Sequence, residues 1–167
     1  MKLNKEMFLS QLSFVIIAVL ILRLFFAFEW ISSGSSKISS ISTNPQQYFN
    51  GIQNTLNNWA RNNPYSWWVP ALNAFASNVS FYVTFVAISE LLMGIGYLLG
   101  ALVRLASIGG MLLNTIIFLS AGYTSTSTAG INVMMFGGQL FLLLVSAGRA
   151  YGIDAIFHKK WAKLPVF

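Results

Sequence analysis

The sequence predicts an all-α membrane protein: a four-transmembrane-helix bundle with an extracytoplasmic helical cap between helices 1 and 2. Three observations carry this. Of the 167 residues, 56% are hydrophobic and 8% charged, against about 25% charged in an ordinary soluble domain. Four apolar runs approach or reach the roughly 20 residues that a bilayer core requires. Lys and Arg also gather at alternate ends of those runs, the pattern that sets membrane orientation.

The first span, about 12–31, is apolar except for Arg23 and Glu29 and follows Lys2 and Lys5. It exceeds the 7–15-residue core of a signal peptide and no A-x-A-like site follows, so it reads as a retained helix. An Asn- and Ser-rich segment, 32–80, is too long for a simple connection and reads as an ordered outer cap. Within it Asn44-Pro45 forms an N-cap followed by proline at the first helical position. Tyr48, Phe49, Ile52, Leu56 and Trp59 then share one helical face, suited to the membrane surface or to packing over the bundle. The stretch RNNPYSWWVP ends that helix, and Pro70 opens the next, whose embedded part is about 81–103 and is closed by Arg104. The third span is 105–123, a TSTSTAG turn follows, and the fourth span is 131–150 before a basic tail, 151–167. The chain 1–167 thus reads as a single membrane domain whose first partner is the lipid bilayer.

Lys2 and Lys5, then Arg104, then Arg149, Lys159, Lys160 and Lys163 flank the spans, and the turn between the third and fourth has no basic residue. By the positive-inside rule both termini are cytoplasmic in a multi-pass protein of the cell membrane. The net charge of +6 is scattered and forms no stripe for nucleic acid. Cysteine is absent and His158 is the sole histidine. No haem, metal or flavin is therefore expected in this chain.

Charged groups at membrane depth cost a few kcal/mol or more and face the bundle interior. Counting from Ile31 and from Phe81 places Arg23 and Glu90 at one depth, about 12–14 Å below the outer surface, which predicts that they pair. Such a pair either locks the bundle or lines a functional pocket. Glu29, Trp30 and Lys37 stand at the outer interface by the same count, and Trp30 alone reads as an aromatic-belt anchor. Arg104, Arg149 and Asp154 form a structural ion cluster at the inner surface. Gly94, Gly96, Gly100, Gly137 and Gly138 suit close helix approach, and Asn78-Val79-Ser80 fits a glycosylation sequon.

Arg23 followed by FFAFEWISSGSSKI, then E-x-x-x-G-x-G-x-x-x-G-x-x-x-R over 90–104, then GRAYGIDA over 148–155 together resemble the DoxX/DoxD family of small four-helix membrane proteins. The likeness is closest to the DoxD subunits of archaeal thiosulfate:quinone oxidoreductases. The resemblance implies oxidation of thiosulfate to tetrathionate on the outer face, with electrons passed to a membrane quinone. It also implies a DoxA-like second subunit and association with a terminal quinol oxidase.

A dianion requires cations and donors, and on the outward side Arg23, Lys37 and Arg61 are the candidates, with Trp30 beside them. A quinone requires an apolar slot with a few polar groups, and Glu90, Glu29 and Tyr97 suit that role. Glu90 and Tyr97, seven residues apart, are expected to face one cavity. Catalysis is accordingly assigned to Arg23, Glu90 and Glu29. The chain carries no evident redox relay of its own, so a non-catalytic accessory subunit of a respiratory terminal oxidase and a small-anion transporter stand as alternatives.

Overall fold

A computed structural model describes residues 2–160, and the side chains of 12–159. Seven α-helices follow in order: α1 (Lys2–Thr43), α2 (Pro45–Asn62), α3 (Val69–Ser77), α4 (Val79–Leu99), α5 (Val103–Ala121), α6 (Thr126–Leu144) and α7 (Ile153–Lys160). Four of them, α1, α4, α5 and α6, are long and apolar enough to span a bilayer, which makes this an all-helical multi-pass membrane protein. The side chains of Lys2 and Lys5, and Lys163 altogether, lie outside the described residues.

The expected span boundaries shift, each for a local reason. The first span does not end at 31, because α1 runs unbroken to Thr43. Its polar end is serine, which does not break a helix: Ser40, Ser42 and Thr43 donate their hydroxyls to the carbonyls of Ser36, Ile38 and Ser39 one turn back. Asn44-Pro45 then starts α2 as expected, with Asn44 Oδ1 accepting from the Gln47 amide at 3.4 Å. Pro70 opens only the short α3, and α4 begins separately after Asn78. The second span ends at Gly100, whose φ of +65° is the left-handed cap that glycine adopts freely. Arg104 therefore lies in the first turn of α5. The fourth span starts five residues earlier than expected, because Ser125 caps α6 by accepting from the Thr128 amide at 3.0 Å. It also stops at Leu144, and Ser146 in the left-handed region leads into a short 3-10 turn.

The bundle consists of two tightly packed pairs, α1 with α4 and α5 with α6, joined through α4 and α5, while α1 and α6 scarcely meet. Two glycines set the first pair. A methyl on Gly34 would stand 2.8 Å from the Leu91 nitrogen, and one on Gly94 would stand 2.7 Å from the Ile31 nitrogen, so the two backbones lie in direct contact. Of the α4 glycines expected to do this, Gly94 does, whereas Gly96 faces Ala101 and Gly100 faces Gly152 and Arg23.

Helices α2 and α3 form the cap around a small core of Leu56, Leu72 and Ala76, with Ile52, Trp59 and Phe75 against it. The cap is tied to the end of α5. Asn63 Nδ2 donates to the Leu119 and Ser120 carbonyls at 3.0 and 3.3 Å, and the Trp68 indole donates to Ser120 Oγ at 3.0 Å.

Candidate functional site

Arg23 and Glu90 do not pair. The register fixed by Gly34 and Gly94 sets Arg23 beside Gly100, at the end of the bundle far from the cap, whereas Glu90 lies level with Lys37. The depth count failed because it began at Ile31 although α1 continues to Thr43.

At the far end, Arg23 is 4% exposed and donates from Nη1 to the Ala147 and Ala150 carbonyls at 3.1 and 2.7 Å. Asp154, also buried, accepts from the amides of Leu102 and Val103 at 2.7 and 3.1 Å, capping the start of α5. Arg104 donates to Ser146 Oγ at 2.6 Å. Arg104, Arg149 and Asp154 thus all lie at this end, and Arg23, assigned to catalysis from the sequence, lies here too. Its guanidinium holds together the loop that follows α6.

Toward the cap, the seam between α1 and α6 opens into a cleft of about 940 Å³, within the range of ligand-binding pockets. The α1 wall follows a helical stripe, Phe26, Glu29, Trp30, Ser33 and Lys37, and Glu90 reaches in from α4. Asn114 on α5 and Thr128, Asn132, Met134 and Met135 on α6 face it. Hydroxyls crowd the end near the cap, and aromatic and methionine side chains line the deeper part.

Lys37 Nζ donates to both carboxylate oxygens of Glu90, at 2.9 and 2.7 Å, and to Ser33 Oγ at 2.7 Å. An ammonium has three donors, and all three are engaged. The Glu90 side chain is 3% exposed and that of Lys37 is 28%, so the lysine stands in front of the carboxylate. Trp30 is 4% exposed and its indole N–H has no partner. This is no exposed belt anchor, and a buried donor without a partner is a rare arrangement that calls for an explanation. Glu29, half-buried on the rim, makes no hydrogen bond or ion pair among the described residues. In the cap, burial raises the Tyr48 phenol above its ordinary pKa, and the Glu90 charge adds to this, so Tyr48 stays a neutral hydroxyl.

Two expected members lie elsewhere. Tyr97 is fully buried behind Phe26, ring centroids 5.6 Å apart, and bonds Ser107 Oγ at 3.1 Å, so it does not share the cleft with Glu90. Arg61 is exposed on the cap, its Nε donating to the Asn57 carbonyl at 3.3 Å. The trio Arg23, Lys37 and Arg61 is therefore dispersed.

Amides on the opposite wall, Asn114 and Asn132, and Gln139 buried elsewhere on α6, escape a reading by charge alone. Asn114 Nδ2 donates to Gln139 Oε1 at 3.0 Å, and Gln139 Nε2, fully buried, has no partner. Each amide interrupts an otherwise apolar run, MLLNTII, GINVMM or GGQLF, and that interruption was the available signal.

The family model described as "TQO small subunit DoxD" matches residues 18–166 of the chain, which takes in every residue of the cleft and of the far-end cluster. No solved structure matches.

Proposed function

Since the chain belongs to the DoxD family, we propose that it is the small membrane subunit of a thiosulfate:quinone oxidoreductase and that its α1–α6 cleft holds the quinone head group. The observation that supports this reading is the cleft itself, open along the α1–α6 seam and lined both by Trp30, whose buried indole N–H is unpartnered, and by the Lys37–Glu90 pair. A quinone ring enters from the bilayer between α1 and α6, accepts the Trp30 N–H on one carbonyl, and leaves its tail among Phe25, Phe26 and Met134. Two electrons and two protons convert it to the hydroquinone. Two thiosulfates each give up one electron and join through a new S–S bond, forming tetrathionate at the cap side, which the Lys and Arg distribution sets outward. Ser33, whose oxygen already accepts from Lys37, has its own proton free to donate toward the ring, and Glu29 on the rim suits proton exchange.

Photolabelling with an azido-benzoquinone tests the placement. The expected label falls on α1 around Phe26 and Trp30 and on α6 around Met134. Label confined to other helices, together with no quinone reduction by the purified complex on adding thiosulfate, overturns the reading in favour of an accessory subunit.

A further inference from the structure

Three ionisable side chains line the cleft among the described residues: Lys37, Glu90 and Glu29. With all three ionised their sum is one negative charge. Every donor of the single cation is already taken, two by Glu90 and one by Ser33. An anion approaching Lys37 would have to displace a buried carboxylate and leave it unpaired, which is strongly unfavourable. Arg23 and Arg61, the other candidate cations, lie outside the cleft.

We propose that Glu90 is a specificity-determining residue: a tethered carboxylate that occupies the cation of the cleft, so that the site takes a neutral ring and refuses inorganic dianions. This rests on the quinone reading of the same cleft and adds that the anionic substrate is excluded from it. The exclusion has a functional sense, because the two substrates of such an enzyme differ in charge. A cleft with a free ammonium would fill with the dianion and block the neutral acceptor. The unpartnered Trp30 N–H is a neutral donor, adequate for a carbonyl and weak for a dianion on its own.

The test uses the purified complex, a short-tailed benzoquinone and sulfate as a redox-inert dianion, with ionic strength balanced by sodium gluconate. In the native protein, 100 mM sulfate is expected to leave the apparent Kd for the benzoquinone within about twofold. In Glu90→Gln, which frees Lys37 with almost no change of shape, sulfate is expected to raise that Kd about tenfold or more by competition. Lys37→Met/Glu90→Gln is expected to lose the competition again. A role of Glu90 in folding alone would produce no sulfate-specific competition. Competition in the native protein, or none in a folded Glu90→Gln, overturns the proposal, and the native measurement decides alone should the variant not accumulate. Calorimetric titration with sulfate in the absence of quinone separates the two readings. Sulfate binding by Glu90→Gln but not by the native protein upholds the exclusion even where no benzoquinone binds, and absent benzoquinone binding counts against the quinone reading only.

Discussion

Arg23 and Lys37 are two cations on one helix, about 21 Å apart at 1.5 Å per residue, and their surroundings differ in kind. Arg23 meets backbone carbonyls of a turning loop, with Asp154 nearby capping the start of α5. Lys37 meets side chains only, at the edge of a cleft whose wall carries an unpartnered donor. A charge that satisfies backbone groups freed by a loop serves the architecture. A charge that another side chain neutralises in front of open space governs which ligands that space accepts. Burial alone does not mark a charge as architectural, since Arg23 and Glu90 are almost equally buried; the nature of the partner does.

The comparison can be broken most severely at the far end. Arg23→Met leaves the Ala147 and Ala150 carbonyls without their charged donor and is expected to destabilise the protein by about 3–5 kcal/mol, seen as lost yield and a lowered Tm in detergent. A folded variant with native Tm but impaired turnover would return Arg23 to the catalytic site.

The second test is a double-mutant cycle in the cleft. Lys37→Met and Glu90→Gln are expected to couple by about 1–3 kcal/mol, whereas Arg23→Met and Glu90→Gln should add to within about 0.5 kcal/mol, both read from thermal unfolding. Strong coupling between Arg23 and Glu90 would mean that the far end and the cleft are one network.

The smallest effect on stability is expected at Trp30. Trp30→Phe keeps most of the buried ring and removes the N–H, so Tm should barely move while quinone affinity falls by about fivefold to tenfold, the worth of one neutral hydrogen bond. Equilibrium binding of a short-tailed benzoquinone measures it. Unchanged affinity would remove the indole from the site.

Much of this fold was legible in the sequence: four spans, a helical cap containing a helix that begins at Asn44-Pro45, and the apolar face that packs as Ile52, Leu56 and Trp59. Helix ends were less so. Hydropathy marks where lipid stops, whereas a helix stops where its backbone hydrogen bonds do, and a serine-rich run satisfies its hydroxyls within the helix. The error then spread, because depths counted from a false end paired Arg23 with Glu90. Residue chemistry points to Lys37 and Trp30 for the dianion and to Glu90 and Glu29 for the quinone, and all four line the one cleft. Their grouping with Asn114 and Asn132 depends on the seam between α1 and α6, which is a property of packing and leaves no periodic trace.

The backbone contact at Gly34 and Gly94 has a mechanical consequence. With no side chain between them, α1 and α4 slide or separate only by breaking a close-packed face, so together they act as a stiff wall carrying Trp30, Lys37 and Glu90 in fixed relation. On the other wall, Gly130 and Gly137 of α6 have open space around them, and α6 is the least enclosed of the four spans. The stiff side of the cleft is therefore the side that carries the charged pair, and its geometry does not depend on what fills the space in front of it.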